Sequence, residues 1–208
     1  MPSARKIQRS PAQIAAINET ATVVKQTLAD AIAACLAGDV AVGNSVEWRE
    51  YHADTGLGGS YGVLSDSGSN EARPIASAKV IHVGGDGLWI SVRGAASVYT
   101  CGALGNGVAD DTQSLIKAFS PLNGPADETL ILNLGDNNDA VFLVSGQIID
   151  SDKKAVIVTG RGTIKRANGV IANTFNNYQN FTPLIRISGA SSVQLTGDWW
   201  IDGNRAGQ

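Results

Sequence analysis

Apolar and polar positions divide this chain into three textures. Between Ser10 and Gly38 the apolar residues Ile14, Ile17, Ala21, Val24, Leu28, Ala31 and Cys35 recur at alternating steps of three and four, the spacing of a heptad seam along an α-helix. Ser10 and Gln13 make a capping box with Pro11 at the first helical position, and Gly38 supplies the stop. The spacing predicts one helix between them. Two packings satisfy it. One is a short coiled coil that joins identical chains; the other is a helix laid on its own chain, with Ile32 and Leu36 drifting into the stripe as a 3.6-residue period requires. Isoleucine at the first two seam positions leans toward more than two strands.

From Val40 to about Val98 the helical period gives way to short strand-like pieces: Ser45–Tyr51, Tyr61–Leu64, Lys79–Val83 and Leu88–Arg93. Clusters of glycine, serine, asparagine and aspartate separate them, which predicts an antiparallel sheet or small barrel. Asp86-Gly87, between two apolar runs, is a hairpin signal. Beyond residue 119 come Leu130–Leu134, Val141–Val144, Ala155–Val158, Gly162–Lys165, Leu184–Ile187 and Val193–Leu195, with Gly146, Gly160, Gly189 and Gly197 beside them. That pace fits the rungs of a parallel β-helix, with 173–181 as a loop bulging from one rung.

Composition agrees with a mainly β chain. Of 208 residues 24 are glycine, 17% are charged and 43% are hydrophobic, a balance that favours tight turns and excludes disorder. The length suffices for one domain or two small ones. A net charge of -3 gives no footprint for nucleic acid. The longest apolar stretch, Ala31–Ala37, is far short of the about 20 residues a membrane span needs. Arg5, Lys6 and Arg9 are followed by no apolar core or cleavage site of a signal peptide. Cys35 and Cys101 form neither a disulfide framework nor a metal spacing and read as buried residues of a chain made in a reducing compartment. His52 and His82 stand apart from ligand-type neighbours and read as structural; Trp48, Tyr51 and Trp89 read as sheet core. Neither GxGxxG nor GxxxxGK occurs, so no cofactor, and no metal, is expected.

The most specific stretch is Val98-Tyr-Thr-Cys-Gly-Ala-Leu-Gly-Asn-Gly-Val-Ala-Asp-Asp-Thr112, continued by Gln-Ser-Leu-Ile-Lys-Ala-Phe119. Gly102, Gly105 and Gly107 allow a tight reversal out of a strand, and Asp110 or Asp111 accepts hydrogen bonds from the free N–H groups of a helix starting at Thr112. Leu115, Ile116 and Phe119 supply an apolar face that can close the end of a solenoid. A catalytic carboxylate pair at Asp110 and Asp111 fails on geometry, because adjacent residues do not face one site. The stretch resembles the opening motif of the pectate-lyase-like right-handed β-helix family, roughly a strand followed by GAxGDGxxDDTxAIQxA. Asn106 stands where that pattern has aspartate, and asparagine tolerates the same turn.

The family is common among bacteriophage tailspikes and polysaccharide-degrading enzymes, and the resemblance implies an organisation and a role. The expected divisions are 1–38, a helix or trimeric coiled coil; 39–97, a small antiparallel β anchor domain; and 98–208, a capping helix and the start of a right-handed β-helix. Asp198-Trp-Trp-Ile-Asp202 places two carboxylates about 13 Å apart along a strand, at 3.3 Å per residue, against the about 5 to 9.5 Å of glycosidase pairs. One tryptophan there is expected inside the solenoid and the other outside, and catalysis is expected nowhere in residues 1–208. The chain ends just past a rung strand, and it is expected to be the N-terminal part of a longer protein. The reading is a homotrimeric virion protein, the tail-attachment part of a tailspike or tail fibre. It would be made in the bacterial host cytoplasm, join phage tail or baseplate proteins and meet host surface polysaccharide through further rungs. The alternative is an accessory part of a free polysaccharide lyase or glycoside hydrolase of the β-helix class.

Overall fold

A computed structural model describes residues 22–66, 76–77, 80–84, 87–93, 97–119, 129–146, 148–151, 155–168, 185–187, 190 and 192–203. The first unit is a six-stranded sheet built from β1 (Thr22–Thr27), β2 (Ser45–Glu50), β3 (Gly58–Ser65), β4 (Ala76–Ser77), β5 (Val80–Gly84) and β6 (Leu88–Val92). Its spatial order is β1-β2-β3-β6-β5-β4. β1 runs parallel to β2, and every other neighbouring pair is antiparallel. The helix α1 (Leu28–Leu36) lies on one face of this sheet. Its Leu28, Ala31, Ala34 and Cys35 join Val40, Val46, Trp48, Leu64, Val83 and Ile90 in a single core.

The single helix expected from Ser10 to Gly38 is corrected here. Residues 22–27 are a strand, and the helix begins only after them. The reason is local chemistry. Thr22-Val-Val-Lys-Gln-Thr27 holds four β-branched residues, which favour a pleated conformation. Thr27 then caps the helix: its hydroxyl accepts from the Asp30 N–H at 3.1 Å, and the Asp30 carboxylate accepts from the Thr27 N–H at 3.1 Å. Of the proposed seam, Val24 stands on β1 with 48% of its surface exposed. Leu28, Ala31 and Cys35 face the sheet of their own chain. Ile14, Ile17 and Ala21 lie outside the described residues. α1 and the strands after it share their buried side chains in one hydrophobic core.

The second unit begins with a 3₁₀ turn at Tyr99–Cys101, then β7 (Asn106–Asp110) and α2 (Thr112–Phe119). Eight strands follow: β8 (Thr129–Asn133), β9 (Val141–Val144), β10 (Ile149–Ser151), β11 (Ala155–Thr159), β12 (Arg161–Arg166), β13 (Ile185–Ile187), β14 (Ser192–Leu195) and β15 (Asp198–Asp202). They form three parallel ladders, β14-β11-β8, β15-β12-β9-β7 and β10-β13. The chain visits the three ladders in the same sequence on each turn, so it winds as a parallel β-helix. Registered columns run along its interior: Leu132, Val158 and Leu195 in one ladder, Phe142, Ile164 and Ile201 in another. In each column the first two members are fully buried, while Leu195 and Ile201 on the last described turn are 61% and 51% exposed.

Glycines set the corner between two of these ladders. Gly135, Gly160 and Gly197 all adopt positive φ, and they stack on successive turns through Arg161 N–H to Gly135 C=O and Asp198 N–H to Gly160 C=O. A Cβ on Gly160 would sit 2.6 Å from the Gly135 carbonyl oxygen, and one on Gly197 would sit 2.1 Å from that of Gly160. Sterics and backbone conformation both demand glycine here. The loop segment 173–181, and Gly189, lie outside the described residues.

Candidate functional site

The turn that opens the solenoid is held by two carboxylates with separate tasks. Asp110 accepts from the Thr112 backbone N–H at 3.0 Å, from the Thr112 hydroxyl and from the Ser145 hydroxyl. It therefore caps α2 and ties that helix to the end of β9. Asp111, 2% exposed, turns the other way and accepts from the N–H groups of Leu104 at 2.8 Å and Gly105 at 3.0 Å. Burial works against the Asp110 charge, but the bonds from Ser145 and Thr112 outweigh it and bring its pKa below the ordinary value. For Asp111 burial wins over its two backbone bonds, helped by the neighbouring Asp110 charge, and its pKa is raised. Both groups are engaged with the protein's own donors.

Gly102 takes φ 95° at the end of the 3₁₀ turn, and the Tyr51 ring lies where its Cβ would be. Gly105 and Gly107 also have positive φ. On α2 the buried residues are Thr112, Leu115, Ala118 and Phe119, with Ile116 half-buried. The helix packs over β8 and β9 and covers the first turn.

This turn also meets the sheet unit. The β2–β3 loop carries Tyr51 onto Gly102, brings His52 Nε2 to 3.1 Å from the Gly102 carbonyl oxygen, and packs Leu57 on the solenoid core. Glu50 organises that loop. Its carboxylate, 3% exposed, accepts from the Gln26 amide at 2.7 Å and from the N–H groups of Asp54, Thr55 and Gly56. The bond from Gln26, then that from Gly56, holds its pKa below the ordinary value against the opposing effect of burial. Sequence reasoning missed Glu50 and Ser145. The only sequence signal for Glu50 was the Asp54-Thr-Gly56 turn four to six residues downstream.

On the outer face of the β-helix, Asp198, Trp200 and Asp202 of β15 point outward while Trp199 and Ile201 follow the inward positions of β12. Trp199 packs against the core and donates its indole N–H to the Thr196 carbonyl at 3.1 Å. Trp200 is 74% exposed. Each flanking carboxylate meets a cation one rung back: Asp198 lies 4.0 Å from Arg161 Nε, and Asp202 lies 3.7 Å from Lys165 Nζ. The cations were not foreseen, because the cross-strand register that aligns them spans 37 positions of sequence, as from Arg161 to Asp198.

Among the described residues no three His, Cys, Asp or Glu side chains converge as a metal set. The His82 ring packs against Trp89 at 4.7 Å. Cys35 and Cys101 are buried and free, and burial pushes the Cys101 thiol up to about 11. Among the described residues no helix is long and apolar enough to cross a membrane.

The stacked ladders define the class: a mainly β chain whose second unit is a parallel β-helix. The enzymatically active domain of tailspike protein 4 from bacteriophage CBA120 is similar over 79% of this chain, at 17% identity and a TM-score of 0.43. Pantoea stewartii WceF, a glycan biofilm modifying enzyme with a bacteriophage tailspike-like parallel β-helix fold, is similar over 87% of it, at 14% identity and a TM-score of 0.39. The chain spans 23% of the first of these proteins and 30% of the second. No family model and no curated protein matches the sequence.

Proposed function

We propose that this chain is the virion-anchoring part of a tailspike or tail fibre, in which a sheet unit attaches to the phage tail and presents a β-helix to host surface polysaccharide. The observation that carries this reading is the junction at the opening turn. A compact sheet unit with its own core is fastened through Tyr51, His52 and Leu57 to the first, helix-covered turn of a solenoid. That arrangement suits a mount and the shaft it carries. In this reading residues 1–208 assemble as a homotrimer, with the described sheet unit turned toward phage tail or baseplate proteins, and their task is attachment, not catalysis.

Sedimentation equilibrium of the purified chain tests the assembly. A trimer is expected at micromolar concentration, and a strictly monomeric species overturns it. Incubation with capsule or lipopolysaccharide tests the division of labour. No saccharide release is expected from residues 1–208, and release would favour an accessory or catalytic part of a free polysaccharide lyase or glycoside hydrolase.

A further inference from the structure

We propose that the groove between the edge of β1 and α1 is a strand-binding site for an extended basic segment, and that this chain's own Arg5-Lys-Ile-Gln-Arg9 fills it. This goes beyond the anchoring role, because it assigns a binding surface within the sheet unit whatever that unit attaches to.

The surface has a wall of backbone and a wall of small side chains. Among the described residues β1 ends the sheet order and pairs only with β2. The N–H and C=O groups on its other side are therefore open to a further strand. Across an open groove of about 490 Å³ from residues 24–26 stand Ala33, Ala34 and Ala37, too short to fill it. Lys25, Asp30 and Asp39 also line it and leave one net negative charge.

The crossover fixes where those acids lie. β1 and β2 are parallel, so α1 between them runs back along the sheet. Asp30 sits beside the Thr27 end of β1, where its Oδ2 accepts from Thr27, and Asp39 lies toward the Thr22 end. Nine positions separate the two acids, about 13 Å at 1.5 Å per residue.

The occupant follows from the residues before β1. Arg5, Ile7 and Arg9 alternate, so in an extended strand they share one face, with the arginines about 13 Å apart at 3.3 Å per residue. A strand added antiparallel to β1 sets Arg5 at Asp30, Ile7 over the alanines and Arg9 at Asp39. It also leaves Arg9 at the end where the chain enters β1, with residues 10–21 to make the return. A tether that short gives the groove its own segment at about millimolar effective concentration. Three cations, Arg5, Lys6 and Arg9, then meet a groove of opposite sign.

Hydrogen–deuterium exchange of the whole chain tests this. The β1 N–H groups that face away from β2 are expected to be protected. Removing residues 1–9 should speed their exchange at least tenfold while β2 keeps its rates, and a synthetic peptide of residues 3–11 at millimolar concentration should restore protection. Arg9→Glu or Asp39→Lys alone should speed the same groups several-fold, and both in one chain should recover the parent rates. Asp39 is exposed, so its replacement leaves the core intact. Equal β1 exchange with and without residues 1–9 overturns the proposal, and so does a double variant as fast as the singles. Arg9→Glu chains refolded together with Asp39→Lys chains should stay fast. Recovered protection in that mixture would give the groove to the segment of a second copy and overturn occupancy by the chain's own.

Discussion

Glu50 is held in the folded chain by one side-chain amide and three backbone N–H groups. The consequence is a signed dependence on pH. Its folded pKa lies below the ordinary 4.5, so its contribution is present above that value and is lost as the pH falls through the folded value. Asp110, lowered from 3.8, acts in the same sense. Asp111 is raised from 3.8 and acts oppositely: its charged form is disfavoured by the fold, so its protonation opposes acid unfolding. Glu50→Gln should therefore flatten the loss of stability below about pH 4.5. Urea titrations from neutral pH down to about pH 3 read this directly, and a variant that tracks the parent at every pH removes Glu50 from the account. Among uncharged positions Gly160 is tightly constrained, since a methyl there meets the Gly135 carbonyl oxygen at 2.6 Å and the backbone stands at φ 108°. Gly160→Ala should cost about 3 kcal/mol or more, measured as a drop in Tm; a loss under about 1 kcal/mol would mean the corner can open.

At the scale of elements, Thr27 decides where α1 starts. Thr27→Ala removes one half of a reciprocal cap and should cost about 1 kcal/mol in a denaturant titration, whereas an unchanged midpoint would show that packing alone sets the helix start. The same residue explains where sequence reading went astray. Steps of three and four ran unbroken through Val24 and Leu28, yet a strand and a capped helix placed end to end preserve that count by coincidence. The β-branched run and the Thr27–Asp30 box were both visible, and they lost to the longer periodicity. Strands of five or six residues bounded by turn-forming clusters were legible: the pieces read at Ser45–Tyr51 and Leu88–Arg93 match β2 and β6 to within a residue at either end. β10 was not, because Asp150 and Ser151 leave its three residues a single apolar position. The opening motif was legible as a helix start but not in its division of labour. Sequence order does not reveal that Asp110 faces forward to Thr112 and Ser145 while Asp111 reaches back to Leu104 and Gly105.

At the scale of the molecule, the two hydrophobic cores of the described residues meet at the seam where the Tyr51 ring covers Gly102 and Leu57 packs against the solenoid core. A side chain at position 102 would displace that ring and strain a backbone at φ 95°. Gly102→Val should thus uncouple the units, splitting one calorimetric transition into two; a single transition at lower temperature would mean that the turn itself, not the seam, had failed.

One property of the solenoid reaches further. From the start of β8 to that of β11 the chain advances 26 residues, from Thr129 to Ala155, yet from β11 to β14 it advances 37, from Ala155 to Ser192. Both pairs stand in unbroken parallel register. Each turn is thus gauged by its ladder and not by contour length. The spacing of the strands along the shaft is therefore set by backbone pairing from one turn to the next, so a turn of different length still delivers its strand to the same height.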